Sequence, residues 1–504
     1  MTPEAILRKR AFTRAIPSEK VANTGTNARY GSAESLDDPA YDTVRFELLT
    51  QSDFLREYDV NAHKINSLKY YPNPLAKDAD GKFYAKVKSR VAVAYQRRIH
   101  TKRVTAITGN NANLRLIEGS QTQLEIFRKG WEKKNMENAI HDSISADGKV
   151  ADVAVNVYLA NGKMGWRVFS FENGDTIYPH YDPITGELSL FGRRYIASYE
   201  TTTPKGIAKT ESCEYLDVWD STHYIRYRRP LNSIPSIDKT KNDPLNGWTV
   251  DVEPIEHKFP EIPIAYDRYG EPFWANSQSN IEGQEMALSQ LAENNMAYAL
   301  RILYSFGEEM DMQSTIDGTP LRIDSPDPNA RVGFLEPADA SNSFGLQLKE
   351  NNKNIYADSF TVETPEIKSG SDMSSLTVKM LFADAYLKAL DDANHFQPFL
   401  DKLVRLFQYA YFVEIGRVSE WNSFVVKAEL FPYIFQSETE VINGIVALKG
   451  IGALSRQSAS EMAYQYGFGV VGENARIMQE GHDALVGKEP ATKDTNVVAQ
   501  SRNK

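Results

Sequence analysis

Apolar residues recur at steps of three and four along one stretch: Leu376, Met380, Leu381, Leu387, Leu390, Phe396, Phe399, Leu403, Leu406, Phe407 and Ala410. A helix with a period of 3.6 gathers such positions on one side, so the spacing predicts a long amphipathic helix. Ser374 or Ser375 can cap it, because a hydroxyl there accepts from a backbone N–H left unpaired in the first turn. Pro398 sits inside the pattern, removes one helix donor and crowds the preceding turn, which predicts a kink just before it. Gly416 supplies the stop. A polar loop, residues 364–375, leads into the helix and carries Ser369-Gly370-Ser371 at its centre.

The rest of the chain changes period several times. Residues 1–42 are polar and weakly periodic, which predicts a flexible, extended arm. Residues 84–104 set Val87, Val91, Val93, Ala94, Ile99 and Val104 among Lys and Arg, read as a core helix with a solvated basic face. A second helix over 121–139 presents Leu124, Phe127 and Trp131. From 148 to 224 short aromatic and β-branched runs alternate with turns at Asn161-Gly162 and at 182–186, which predicts antiparallel hairpins. Residues 258–266 form an extended piece between prolines. Residues 274–304 return to helical spacing, with a narrow stripe of Ile281, Leu288, Leu291, Tyr298 and Ile302. So narrow a stripe suits a helix packed against like helices.

Gly307 ends that helix, and residues 308–340 turn acidic, with short strand-like pieces at 321–323 and 332–335. Residues 343–359 are helical again. Beyond the long helix, helices are expected at 441–448, 458–466 and 473–480, with residues 485–504 frayed. The mixture of periods predicts an α+β fold.

Composition narrows the function. A chain of 504 residues holds more than one domain or subdomain. Its net charge of −10 argues against nucleic-acid binding through basic patches, though not against letting nucleic acid pass. One cysteine, Cys213, excludes a disulfide framework and a thiolate metal cluster. No run of about eighteen apolar residues predicts a membrane helix, and the N-terminus lacks the apolar core of a secretory signal. The eight histidines are dispersed, with no His-Glu-x-x-His arrangement. Gly467-Phe468-Gly469-Val470-Val471-Gly472 matches a dinucleotide fingerprint, but a helix pattern precedes it where a strand is needed. Asp391-Asp392 and Glu308-Glu309 are adjacent carboxylates that suit a solvated surface better than catalysis. The expectation is no enzyme, no metal and no cofactor.

The order of these parts over residues 84–480 resembles the portal protein of tailed bacteriophages. The pieces that carry the resemblance are the extended Phe259-Pro260-Glu261-Ile262-Pro263-Ile264-Ala265-Tyr266 leading into the polar helix, the acidic insert, the returning helix, the loop with Ser369-Gly370, and the closing Leu454-Ser455-Arg456-Gln457-Ser458-Ala459-Ser460-Glu461. The resemblance implies an α+β, portal-like ring subunit. Residues 43–272 would be an α/β wing, 273–307 the first stem helix, 308–341 a small α/β clip and 342–360 the second stem helix. Residues 361–375 would be a tunnel loop, 376–440 the long kinked helix and wing return, and 441–484 a helical crown, with flexible ends at 1–42 and 485–504. The returning helix is short for the family, which leaves its boundary with the loop open.

The resemblance also implies a homo-dodecamer at one capsid vertex, in the virion after assembly in the host cytoplasm. Double-stranded DNA would be packaged and ejected through its channel. The terminase large subunit and then head-tail adaptor proteins would dock on it, beside the major capsid protein, with no membrane and no cofactor. The tunnel-loop residues Glu366, Lys368, Ser369, Gly370, Ser371 and Asp372 would meet DNA. Glu308, Glu309, Asp311, Asp317, Asp324 and Asp327 would form the docking collar, and Leu288, Leu291 and Tyr298 the subunit contacts. Two other classes fit the residues alone: another non-enzymatic virion structural or scaffold protein, and an enzyme with dispersed residues.

Overall fold

The structure, a computed structural model, describes residues 3–7, 12–17, 44–77, 81–202, 208–231, 247–298, 302–306, 311–314, 320–324, 331–335, 341–363, 380–433, 438–465 and 477–479. Within these the fold is α+β. Of the N-terminal arm expected over residues 1–42, residues 3–7 and 12–17 are described. Helix α1 (Pro3–Ile6) precedes strand β1 (Phe12–Pro17), which pairs antiparallel with β2 (Val44–Leu49). Ile6 is apolar enough to anchor the segment: it is buried with Tyr178, Leu216 and Trp248, and its carbonyl accepts from His180 Nε2 at 3.0 Å.

Helix α2 (Gln51–Tyr58) leads to a small hairpin of β3 (Leu75–Lys77) and β4 (Phe83–Ala85). Helix α3 starts only at Tyr95 and runs to Thr108. The helix expected from residue 84 therefore loses its first half. Val87, Val91 and Val93 fall on alternate positions, a strand-like period, and tertiary partners for the backbone there decide the outcome.

The helix expected over 121–139 is also two. Strand β5 (Asn113–Glu118) is followed by α4 (Gln121–Lys133) and α5 (Met136–Val150). Ser120 and Gln123 form a reciprocal capping box at the start of α4. Asn135 breaks the pair in the left-handed region, at φ 52°. Helix α5 thus takes residues 148–150, where strands were expected to begin. Gly148 suits that helix because a Cβ there would lie 2.5 Å from the Phe273 ring.

The hairpins follow as expected. Strands β6 (Val153–Ala160) and β7 (Lys163–Phe169) turn at Asn161 and Gly162, both at positive φ, the conformation of a tight hairpin turn. Strands β8 (Thr176–Tyr181), β9 (Leu188–Thr202), β10 (Ala208–Trp219), β11 (His223–Pro230) and β12 (Thr249–Glu256) form an antiparallel meander in sequence order. Strand β13 (Ile264–Asp267), the expected extended piece, joins the free edge of β6. Arg193 ties the meander to β7. Its guanidinium lies 4.2 Å from the Phe169 ring and 4.1 Å from Tyr195, with Asp175 at 2.7 Å and Asp217 at 3.3 Å.

Helix α6 (Gln278–Tyr298) is shorter than expected. Ile302, placed on its stripe by spacing, instead opens strand β14 (Ile302–Phe306). The run Ile302-Leu303-Tyr304-Ser305-Phe306 is strand-prone. Strands β15 (Asp311–Ser314), β16 (Pro320–Asp324) and β17 (Arg331–Leu335) follow. β14 pairs with β17 and β15 with β16, two nested antiparallel ladders. Helix α7 (Ser341–Asp358) returns alongside α6.

The long helix is α8 (Ala383–Glu414), with Pro398 inside it and Gly416 at φ 71° just beyond its end. Its proposed caps Ser374 and Ser375 lie outside the described residues. Phe396, Phe399, Leu403, Leu406, Phe407 and Ala410 are buried and hold the main core, with α4, α5, β6 and β7 packed round them. The Phe407 ring stands edge-on to Phe127 and to Trp131, each at 5.1 Å. After α8 the chain gives β18 (Val425–Glu429), which pairs with β5 and was not foreseen. Helices α9 (Glu438–Gly450) and α10 (Arg456–Gln465) close the described chain, apart from a helical piece at 477–479.

Candidate functional site

Helix α6 was expected to present an apolar stripe to its neighbours. Within the chain it buries a polar face. Glu285 is 2% exposed and Ser289 is fully buried. Residues 89–93 lie along this face without regular secondary structure. Ser89 N–H donates to Glu293, Val91 N–H to Ser289 Oγ at 2.9 Å, and Val93 N–H to Glu285 Oε1 at 2.8 Å. Alternate residues of an extended chain thus meet every fourth residue of a helix. A backbone segment with no strand beside it has its donors satisfied by side chains.

Glu285 Oε1 also contacts His63 Nδ1 at 2.5 Å, while His63 Nε2 donates to the Glu57 carbonyl at 2.8 Å. A carbonyl only accepts, so Nε2 carries a proton, and a second proton lies between His63 and Glu285. Helix α7 is tied to the same base. Ser277 Oγ donates to the Ile355 carbonyl at 2.8 Å, and Asn280 donates to Asp358 at 2.8 Å. Tyr95, Ile99, Trp274, Ile281, Ile355 and Tyr356 fill the apolar floor beneath the helix pair.

A second hub fixes α8 to the rest. Arg103 Nη2 lies 2.6 Å from Asp392 Oδ2 and 2.8 Å from the Tyr269 hydroxyl, and Nη1 donates to the Phe273 carbonyl at 3.0 Å. Tyr269 donates to Asp392 Oδ1 at 2.9 Å. Burial works most strongly against the Arg103 charge, but the Asp392 carboxylate and the Tyr269 hydroxyl together hold the guanidinium above its usual range. Beside it, burial and then the neighbouring Asp267 charge push the Asp147 carboxyl well up. His395 bonds to Asp267 at 3.2 Å, which raises its affinity for a proton.

His100 behaves oppositely. It is buried under Tyr58 and beside Phe273, and its Nε2 donates to the Ser145 carbonyl at 2.8 Å. Burial lowers its pKa from 6.5 to about 4. The depressed value means that the folded chain prefers the neutral ring. Its contribution to stability is present above pH 6.5 and is lost as pH falls towards 4. The expected loss is about 2 kcal/mol at pH 5. His100→Gln should flatten that part of the acid limb in denaturant titrations run at a series of pH values. An unchanged slope would place the titration elsewhere.

Of the stem residues read from sequence, Leu288 and Leu291 are half-buried on α6, and Tyr298 is its last residue. Of the acidic collar, Asp311 and Asp324 stand directly opposite one another in the β15–β16 ladder. Glu308, Glu309, Asp317 and Asp327 lie outside the described residues, as do Glu366, Lys368, Ser369, Gly370, Ser371 and Asp372. The polar ladder of α6 was missed. Its signal was legible: acceptors at 285, 289 and 293, one helical turn apart, and an alternating Val-x-Val segment elsewhere in the chain.

Among the described residues no group of three or more His, Cys, Asp and Glu is placed to hold a metal ion. No described helix is long and apolar enough to cross a membrane. A cleft of about 670 Å³ lies between α5 and β7, lined by Asp142, Lys149, Arg167, Ser170 and Glu172 among others. Lys149 Nζ is bonded to Glu172 at 2.9 Å, and no histidine or cysteine lines the cleft to serve as base or nucleophile.

The family described as "Phage portal protein, SPP1 Gp6-like" matches residues 51–465. No curated protein matches the chain. Among solved structures, a chain of the "Neck of empty GTA particle computed with C6 symmetry" is similar at 11% identity. The match covers 75% of this chain and 90% of that one, with a TM-score of 0.38. A chain of the "Virion of native gene transfer agent (GTA) particle" is similar at 10% identity, over 83% of this chain and 93% of that one, with a TM-score of 0.36. Likeness at these scores carries no weight beyond the family match.

Proposed function

This chain belongs to the SPP1 Gp6-like phage portal proteins, and from that premise we propose that its copies close into a homo-dodecameric ring whose channel passes double-stranded DNA. The observation that carries this reading is the family match, which runs from α2 through α10. In the ring, α6 and α7 are the stem and β14–β17 the clip. Residues 364–375 are the tunnel loop, α8 is the helix leading away from the channel, and α9 and α10 belong to the crown. DNA is packaged and ejected through the channel at one vertex of a virion. The clip receives the terminase large subunit and later the head-tail adaptors. The ring catalyses nothing.

Physical chemistry supports this assignment. A chain of net charge −10 offers a duplex few phosphate contacts, so the duplex can slide. Glu285, Ser289 and Glu293 of α6 are bonded inside their own subunit, which leaves half-buried Leu288 and Leu291 for a neighbour. Lys368 is the one basic residue of the tunnel loop and would be its phosphate contact, with Glu366 and Asp372 limiting the attraction. Negative-stain images of the purified chain should show rings with a central hole. Removing Lys368–Ser371 should leave the rings intact while filled particles retain DNA poorly. Solid or unclosed particles would sink the ring, and full DNA retention by the shortened loop would sink the gate.

A further inference from the structure

Strand β7 is the outer strand of its sheet: β6 lies on one side of it and, among the described residues, no strand lies on the other. The direction of its backbone groups follows from β6. Val157 N–H donates to the Pro263 carbonyl at 2.9 Å, on the β13 side. Neighbouring residues of a strand turn opposite ways, so Asn156 and Tyr158 face β7, and their register partners Arg167 and Gly165 face back. Met164, Trp166 and Val168 are left with their N–H and C=O groups on the outer edge. The two halves of this edge differ. At Met164 side chains close it: the N–H donates to Glu414 Oε2 at 2.6 Å, and the carbonyl accepts from Lys134 Nζ at 2.8 Å. At Trp166 and Val168 it is open. Neither backbone N–H has a partner among the described residues, nor has the Trp166 carbonyl, and the Val168 carbonyl meets only the Asn173 amide, at 3.5 Å.

The cleft of about 670 Å³ lies against this open half. Trp166, Arg167 and Val168 all line it. Three consecutive residues share a wall only at the edge of a strand, because their side chains alternate between its faces. Ser145 and Ala146 of α5, both small, line the cleft opposite them. Just past the strand, the Ser170 hydroxyl lines the same space; the residue is 1% exposed and the hydroxyl has no hydrogen-bond partner. Arg167 is exposed, and no carboxylate of the described residues forms an ion pair with it.

We propose that the open half of β7 receives an extended segment of a partner protein as a further strand, with an acidic residue beside Arg167 and a polar group reaching Ser170 Oγ. The slot serves a monomer or a ring alike, so it stands apart from the ring reading above. Donor, acceptor and donor follow one another along the vacant edge, the pattern that a peptide backbone repeats about every 6.7 Å. A sheet edge left open is a template for such pairing, and natural chains block the edges they do not use. Here Glu414 and Lys134 block one half and fix where the added strand must stop. Exposed Asp142 and Glu172 at the cleft repel phosphate, and phosphate oxygens cannot donate to the Trp166 carbonyl, so nucleic acid is the wrong occupant. Arg167 selects among peptides, because a carboxylate there gains a charge-assisted bond that a lysine forfeits.

The test uses the full chain and a synthetic hexapeptide, Val-Thr-Val-Glu-Val-Thr, acetylated and amidated at its ends. Hydrogen exchange is read by mass spectrometry with fragmentation to single residues. The peptide should slow exchange severalfold at Trp166 and Val168, and leave Arg167, whose N–H already faces β6, unchanged. The same peptide N-methylated at alternate residues should give no protection, since it lacks the backbone donors. Lysine in place of its glutamate should weaken protection severalfold, and Arg167→Glu should restore it for the lysine peptide. Val168→Pro removes an edge donor that points away from the β6 ladder, so it should abolish binding while the denaturant midpoint stays in place. No protection of the two amides at millimolar peptide overturns the slot. Equal protection by the N-methylated peptide overturns the strand pairing. Protection that rises with chain concentration in the absence of peptide assigns the edge to a second copy and overturns the proposal.

Discussion

Asp392→Ala lowers the free energy of unfolding by about 3–5 kcal/mol. The carboxylate is 1% exposed and is the charged partner of Arg103, which is 8% exposed. Removing it leaves a buried guanidinium with only the Phe273 carbonyl and the Tyr269 hydroxyl as hydrogen-bond partners. It also strips Tyr269 of its acceptor and Lys388 of a carboxylate 3.1 Å away. Burial works to lower the Lys388 proton affinity, yet its bond to Asp391 and the charge of Asp392 hold it above the usual range. Asp392→Asn keeps shape and an acceptor but no charge, and should fall between. The pair Arg103→Met with Asp392→Leu removes both charges and should recover more than half of the loss. The measurement is the denaturant midpoint at unchanged slope. A loss under about 1 kcal/mol for Asp392→Ala would show that water reaches the site and screens it.

Glu285→Ala has the second large effect, and its reason differs. The residue serves as an acceptor more than as a charge. Two buried groups, the Val93 N–H and the His63 Nδ1 with which it shares a proton, converge on its Oε1. Alanine leaves both unpaired, at about 1–3 kcal/mol each. Glu285→Gln retains an acceptor and an amide that can turn towards His63, so it should cost far less. The distinguishing readout is hydrogen exchange at Ser89, Val91 and Val93. Alanine should lower protection most at Val93 and also at Val91 and Ser89, because the ladder loses the buried end rung that anchors it. Loss of global stability with those three amides still protected would separate the carboxylate from the ladder.

How much of this was legible can be argued residue by residue. The long helix was readable because Phe396, Phe399, Leu403, Leu406 and Phe407 obey one period and one environment. The hairpins were readable because Asn161-Gly162 has a conformational reason to turn. The family resemblance followed from the order of such parts, and the match over residues 51–465 agrees with it. What failed were places where distant chain supplies the partner. Residues 86–94 look helical by count of valines, yet the N–H groups of Ser89, Val91 and Val93 are bonded to α6. Strand β18 is invisible without β5, and β14 without β17. Asn135 divides two helices because its backbone is left-handed, which no apolar period reports. Of the residues expected to make stem contacts, Leu288 and Leu291 lie half-buried on α6. The loop residues Glu366 to Asp372 rest on the family alone.

The ladder along α6 has a mechanical consequence. Two residues of extended chain advance about 6.7 Å, and four residues of helix about 6.0 Å. The two scales drift apart by about 0.7 Å per rung, as on a vernier, so the match holds over a few rungs only. The strap leaves the helix accordingly: Lys86 N–H turns to the Pro74 carbonyl at 2.9 Å on one side, and α3 begins at Tyr95 on the other. The match also has a single detent. Sliding α6 by one turn in either direction would offer Ile281 or Ala297 where an acceptor is needed. Axial force on the helix must therefore carry the strap and the β3–β4 hairpin with it, or break every rung at once.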